Sequence, residues 1–455
     1  MSPLREQVRR EIFRLAMPAV MSSLLQRAVS IIDVFLVGGL GASAIAAVGV
    51  GQLLVFMSMT LMWGFSSGVT VVVAQLWGAR RTQDASRIAF QSLLFSLVLS
   101  TVISVVGGLW GHHVAVFLGV EPTVMVLAQS YLRIIFIVFG FTALVNVLCN
   151  IYYAVGDTRT PFLSVLVVNI LHVLIAYPLI YGYWGAPMLG VEGAAIAIGI
   201  SEAAGAAIMA VVLYQRGLLH IGRFRLETLN RVIRIGLPVF CDRALQQAGQ
   251  AIYLKMIIFY GTAAYAAHQV GLSIEAFSFM PGFGIAIAAT TAVGQSLGAN
   301  RRDRADLANW EANRIAVLLM AGMGIIFFFF PYLLLRLFTT DPEVIHLGTL
   351  FLKVAAVLQI PLAITMVLSG SLKGAGDTRY LLFTTIIGSW VIRVPLAYVF
   401  SRVLGLGLPF VWGVMVIDWL VRMSLLLYRY RSERWHRHIP YEKPEVVHGT
   451  LDRSA

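Results

Sequence analysis

Charge is what this chain has least of. Asp, Glu, Lys and Arg together make up 12% of its 455 residues, about half the share of a soluble globular protein. So few ionised groups cannot cover the surface of two or three soluble domains, which the length alone would suggest. Cysteine is almost absent: Cys149 and Cys241 are the two. Both lie inside apolar runs with no paired framework and no metal-ligand spacing, so disulfide scaffolds and metal sites drop out. No Gly-x-x-x-x-Gly-Lys-Ser/Thr segment occurs, which removes ATP-driven transport. No Gly-x-Ser-x-Gly or metalloprotease element stands on a plausible support, so no enzyme is expected. Alternating polarity over segments of roughly ten residues is missing too, which excludes membrane β-barrel strands.

What is present is apolar length. Hydrophobic residues make up 59% and the mean hydropathy is +0.82. Runs of about 20 residues, enough for a helix to cross the hydrocarbon core, recur along the chain. They predict spans near 15–37, 45–72, 88–110, 125–153, 161–183 and 189–214, then near 233–258, 265–293, 309–331, 345–370, 380–402 and 407–428. The expected fold is an all-α integral membrane protein of twelve transmembrane helices. The basic segment Met1–Met17 is expected to be retained with the first helix. A charged tail from about Arg429, with Pro440 and Pro444, is expected to be solvated.

The net charge of +12 invites a nucleic-acid reading, but the basic residues fall between apolar runs and form no phosphate-tracking face. Alternate connections hold them: Arg5, Arg9, Arg10 and Arg14; Arg80, Arg81 and Arg87; Arg159; Arg216, Arg223, Arg225, Arg231 and Arg234; Arg301, Arg302 and Arg304; Lys373 and Arg379; Arg429, Arg431, Arg434 and Arg437. The opposite connections hold little beyond Glu121, Glu192, Arg336, Asp341, Glu343 and Arg402. The positive-inside rule therefore puts both termini in the cytoplasm, with the chain in a cell membrane, a bacterial inner membrane being expected.

The second half repeats the first at a constant offset of 220. Pro18 meets Pro238, Gln26 meets Gln246, and Gly64 meets Gly284. Gln75-x-x-Gly78-Ala79 meets Gln295-x-x-Gly298-Ala299, and Gly156-Asp157-Thr158-Arg159 meets Gly376-Asp377-Thr378-Arg379 (376 − 156 = 220). Six spans per half bring both halves into the membrane from the same side. Two six-helix bundles related by a parallel pseudo-twofold repeat follow, with a cavity between them suited to alternating access. The expected units are an N-lobe over 1–220, a C-lobe over 221–430 and a tail over 431–455. The expected state is a monomer in the lipid bilayer.

Ionisable groups at membrane depth cost about 2.5–3.5 kcal/mol each on the insertion scale and normally face a cavity. Asp33, in Ile31-Ile32-Asp33-Val34-Phe35, is the foremost candidate for ion coupling; structural pairing with Arg27 is the alternative. Gln26 lies two helical turns before it on the same face. Asn169 and His172 form one polar face, with Tyr177 two turns beyond Asn169, and Asn146 and Asn150 form another. Interhelical packing is the competing account of these, and for His172 the preferred one. Glu202 and Glu275 are isolated carboxylates, the latter in a stripe with His268 and Gln269. Asp418, Arg422 and Arg393 read as a structural pairing. Asp242 and Arg243 read as interfacial, and the Gln-x-x-Gly-Ala and Gly-Asp-Thr-Arg segments as helix ends.

Three segments together carry a resemblance: Ile32-Asp33-Val34-Phe35-Leu36-Val37-Gly38; Ala266-Ala267-His268-Gln269 through Glu275 to Pro281-Gly282-Phe283-Gly284; and Val293-Gly294-Gln295-x-x-Gly298-Ala299. With the 374–379 run, they make the chain similar over 10–435 to the multidrug and toxic compound extrusion (MATE) family, nearest its DinF-like branch. The resemblance implies an antiporter that exports amphipathic, often cationic, small molecules in exchange for protons or sodium ions, protons being the nearer fit. It sets Asp33 on the family's first-helix carboxylate, and Gln26, Asn146, Asn150 and Asn169 on polar positions of the N-lobe cavity. Many relatives carry a second acid before a proline in the fifth helix, where Tyr177 precedes Pro178 here. An acid of some sodium-coupled members stands as Gln246. A sister-family flippase of lipid-linked precursors is the runner-up, and a non-transporting scaffold the remote alternative. A flippase needs a cationic cavity, and Arg27, Lys255, Arg393 and Arg422 look scattered along the sequence.

Overall fold

A computed structural model of the chain describes residues 3–117, 119–220, 226–432 and 434–435. Hydrocarbon offers no partner for backbone N–H and C=O groups, so an apolar chain satisfies them within helices. The N-lobe comprises α1 (Pro3–Gly38), α2 (Ala42–Gly78), α3 (Thr82–Phe117), α4 (Pro122–Ala154), α5 (Arg159–Tyr181) and α6 (Val191–Gln215). The C-lobe comprises α7 (Leu226–Ile258), α8 (Thr262–Gly298), α9 (Arg302–Phe329), α10 (Pro342–Ala375), α11 (Thr378–Val403) and α12 (Leu408–Arg431). Eleven of these are long and apolar enough to cross a membrane. The exception is α7, whose middle carries Asp242, Arg243, Gln246, Gln247 and Gln250.

Most helices outrun the expected spans at the basic ends. α2 and α8 have 37 residues each, about 55 Å at 1.5 Å per residue, against a hydrocarbon core of about 30 Å. Hydropathy sees only the apolar part, so helix starts such as Pro3 and Leu226 lie further out than expected. The solvated tail also begins later than Arg429. Arg429 pairs with Asp377 at 2.6 Å, and the fully buried Trp435 stacks on Tyr430 with ring centroids 5.0 Å apart. Arg223, Arg225, Arg437, Pro440 and Pro444 lie outside the described residues. α11 was expected as one regular helix. It is α-helical over Thr378–Thr385 and π-helical over Ile386–Arg393 and Val399–Val403. Pro395, without an N–H and with a ring that crowds the carbonyl of residue 391, accounts for the widened turns.

The two lobes meet through α1 against α8 and α2 against α7 and α8. The meeting has twofold reciprocity. A Cβ on Gly78 would strike the backbone of Gln295, and one on Gly298 would strike the backbone of Gln75. Positions 75 and 78 thus face 298 and 295, their own repeats exchanged, as an axis between the ends of α2 and α8 requires. Each glutamine also crosses to the other lobe: Gln75 Nε2 donates to Gly374 O at 2.9 Å, and Gln295 Nε2 to Ala154 O at 2.7 Å. Arg231 donates to Gln75 Oε1 at 2.6 Å, and Thr291 to Tyr153 O at 2.9 Å. Arg5–Glu311 and Arg304–Glu11, each 2.5 Å, join α1 to α9. All these bonds lie at the Arg-rich end. The Gln-x-x-Gly-Ala segments are therefore more than helix ends; they latch the lobes together.

In the turn before α5, Asp157 Oδ1 accepts from the backbone N–H groups of Arg159 and Thr160 at 3.0 Å, and its carboxylate pairs with Arg216 at the end of α6. Burial raises the Asp157 pKa, but the bonds from Thr160 and Arg216 outweigh it and hold the carboxyl below its ordinary value. The tie thus stabilises the fold at neutral pH and is lost only as pH falls through that lowered value.

Candidate functional site

Asp33 sits five residues from the end of α1 (38 − 33 = 5), about 7.5 Å along the axis. It therefore lies near the end of α1 that is remote from the basic N-terminal segment. The side chain is 23% exposed, and its Oδ1 lies 2.7 Å from His172 Nε2. Held as the Nε2–H tautomer, His172 donates to the carboxylate. His172 is thus a partner of Asp33, joining α5 to α1. Arg27 does not pair with Asp33: its buried Nε has no hydrogen-bond partner.

A small cavity of ≈ 10 Å³ opens on this pair between α1, α2, α4, α5 and α6, with Gln52 and Tyr131 as further polar walls. That is room for about one water. Among the described residues of this lobe, Asn169 Nδ2, His172 Nδ1 and Glu202 Oε2 are buried without partners, as are Arg27 Nε and Ser92 Oγ. Asn169 and His172 are one turn apart on α5, while Glu202 on α6 lies within electrostatic range of His172.

The other N-lobe expectations fare differently. Neither Gln26 nor Asn169 donates to Asp33, as their positions suggested, and Gln26 is exposed on α1. Asn146 and Asn150 line neither cavity. Their Oδ1 atoms accept from Ser66 at 2.7 Å and Thr70 at 2.9 Å, joining α4 to α2. Tyr177 is 41% exposed and stacks on Tyr183 at 5.2 Å. It stands away from the Asp33 pocket, so no second acid or substitute meets Asp33 there. A one-residue change of periodicity would not have exposed this, because Tyr177 and His172 share α5 but not a face.

The C-lobe holds the larger cavity, ≈ 260 Å³, walled by Gln246 and Gln250 of α7, Glu275 of α8, Arg393 of α11, and Trp419 and Arg422 of α12. Both of these cavities lie within lobes. Glu275 is buried, and no described hydrogen bond or ion pair reaches its carboxylate. Behind the cavity, the fully buried Asp418 sits 2.7 Å from Arg393 Nε and 2.7 Å from Arg422 Nε. The anticipated triad exists, and two of the four intramembrane cations are gathered, not scattered. The π-helical turn of α11 carries Ser389 and Arg393 to this wall, which no sequence signal beyond Pro395 announces. Asp418→Ala is expected to abolish folded yield, since breaking such a buried pair costs about 3–5 kcal/mol; detergent-extracted monodisperse protein is the measurement.

Asp242 and Arg243, expected near the end of the seventh span, pack inside the protein. With α7 starting at Leu226, Asp242 falls at mid-helix and is buried, accepting hydrogen bonds from Thr385 and, at 3.4 Å, from Gln246 Nε2. Arg243 lies over Trp63 at 5.3 Å and Phe283 at 5.8 Å.

Comparison with known proteins places this geometry among relatives. A family model described as MatE matches residues 18–178 and again 238–399, with starts 220 apart (238 − 18 = 220). A probable multidrug resistance protein NorM of Thermotoga maritima is 28% identical over 435 residues, covering 95% of this chain and 94% of the relative. Another from Bradyrhizobium diazoefficiens is 30% identical over 440 residues, covering 92% of each. A solved outward-facing multidrug resistance MATE family transporter superposes with a TM-score of 0.86 at 25% identity, over 94% of this chain and 96% of the other. The bent form of the Vibrio cholerae MATE transporter VcmN superposes with a TM-score of 0.88 at 20% identity, over 95% and 99%.

Proposed function

The chain belongs to the MatE family, and on that premise we propose that it is a secondary active antiporter for multidrug efflux. It exports amphipathic, often cationic, small molecules by alternating access, in exchange for protons in preference to sodium ions. The observation that carries this reading is the Asp33–His172 pair in a cavity of one lobe, in a duplicated molecule latched shut at its basic end. A carboxylate presented to each side in turn can exchange a proton for a cationic substrate, since neutralising it removes the charge that held the substrate. Asp33 is the principal coupling residue in this reading. Glu202 and Glu275 are secondary ones, and His172 and Gln246 are polar groups of the cavities. No cofactor takes part.

The Arg-rich end is cytoplasmic in this reading, so the latched state faces outward, and both termini lie in the cytoplasm of a bacterial inner membrane. Cysteine labelling tests that orientation in a monomeric chain with Cys149 and Cys241 replaced by alanine. A cysteine at position 80, 220 or 301 is expected to react only from the cytoplasmic side, and one at 186 or 341 only from outside. Reaction of position 301 from outside overturns the topology. The function itself is tested in a bacterium stripped of its own efflux pumps. Expression should lower accumulation of a cationic dye and collapse of the proton gradient should restore it, whereas a scaffold would change neither. A lipid-linked precursor flippase has less support, because Asp418 offsets one of the two gathered arginines.

A further inference from the structure

The C-lobe cavity holds a guanidinium that the export reading leaves unused. Arg393 and Arg422 share one buried carboxylate, that of Asp418. Arg422 donates from all three nitrogens: Nε to Asp418 at 2.7 Å, Nη1 to Thr385 at 3.2 Å and Nη2 to Ser389 at 2.6 Å. Arg393 does not. Its Nη1 donates to Gln250 Oε1 at 3.0 Å. Its Nε is close to Asp418 Oδ2 but makes no aligned hydrogen bond there, and no described bond uses Nη2. A guanidinium has five N–H donors in a fork that matches a carboxylate or phosphate, and Arg393 is among the residues that line the ≈ 260 Å³ cavity.

We propose that the C-lobe cavity is an anion subsite, in which Arg393, held by Asp418 and Gln250, takes the carboxylate or phosphate group of an amphipathic ligand. Phe279, Met415 and Trp419 supply the apolar wall for its body. The volume is below the roughly 300–1,000 Å³ of sites that enclose drug-sized ligands, so the site takes the headgroup end of the molecule. Glu275 borders the same cavity with no partner of its own, and is electrostatically coupled to Arg393. Ionised, it is the internal counter-ion with which an incoming anion competes.

The inference rests on the transporter reading only for the amphipathic nature of the ligand; binding and flux can fail separately. Calorimetric titration of the purified full chain with 4-phenylbutyrate, 4-phenylbutyramide and 4-phenylbutylamine tests it. The carboxylate should bind tightest. Arg393→Gln should erase its advantage over the amide, and Glu275→Gln, which leaves the Asp418 triad intact, should strengthen carboxylate binding at least roughly tenfold by removing the repelling charge. Because Arg393→Gln can fail to fold, Glu275→Gln carries the decision: weaker carboxylate binding in that variant, or equal binding of acid and amide in the native chain, overturns the proposal. Displacement of 4-phenylbutyrate by dioctanoyl phosphatidylglycerol but not phosphatidylcholine assigns the anion to a lipid headgroup. Binding of the acid without such displacement assigns it to a free amphipathic acid, and either result supports the site.

Discussion

Asp33→Asn should bring proton-driven efflux down to the level of protein-free liposomes while the chain still inserts at near-normal yield. The substitution keeps the side chain's size and its capacity to accept from His172 Nε2, 2.7 Å away. What it removes is the ability to gain and lose charge. Asn can also turn its NH₂ toward His172, so the packing of α1 against α5 survives. His172→Leu, by contrast, leaves the carboxylate and removes its donor. It should slow transport without abolishing it and shift its pH dependence. Undiminished export by Asp33→Asn under a defined pH gradient would falsify the assignment and move coupling to Glu275.

Opening the latch should have an effect of comparable size on conformation. Gly78→Leu or Gly298→Leu places side-chain atoms where the backbone of the opposing helix end runs, and backbone cannot swing aside as a side chain can. Overpacking of this kind costs about 1–3 kcal/mol, and a bias of that size moves a two-state equilibrium by roughly 5–150-fold. Since the cost falls only on the latched state, the population should move toward the state open at the basic end. Double electron–electron resonance between spin labels at positions 83 and 303 should then report longer distances in the variants. Gln75→Ala with Gln295→Ala should act in the same direction through lost hydrogen bonds alone. A distance distribution identical to that of the native chain in all of them contradicts the latch.

Much of this architecture was legible because the duplication left the 220-residue offset intact across loops. Twelve helices and the axis relating the lobes follow from the apolar runs and that offset. Helix ends were not legible, because a basic helix end in water has no apolar signature. Within the site, Asp33 and Glu275 stood out as lone acids in apolar runs. Their partners did not, because a pair such as Asp33–His172 is 139 positions apart and depends on which faces of α1 and α5 meet. Asn146 and Asn150 looked like cavity residues and serve α2 instead: helical spacing identifies a polar face but not what it faces. Arg393 reaches its cavity through a π-helical turn that a regular 3.6-residue period cannot anticipate.

Proteoliposomes containing the purified chain, loaded with a fluorescent amphipathic cation and given a proton gradient or a sodium gradient separately, test the central claim most directly. The account predicts substrate export coupled to proton entry, abolished by a protonophore, indifferent to a sodium gradient at constant pH, and lost in Asp33→Asn. Export driven by sodium alone, or flux that ignores both gradients, contradicts it.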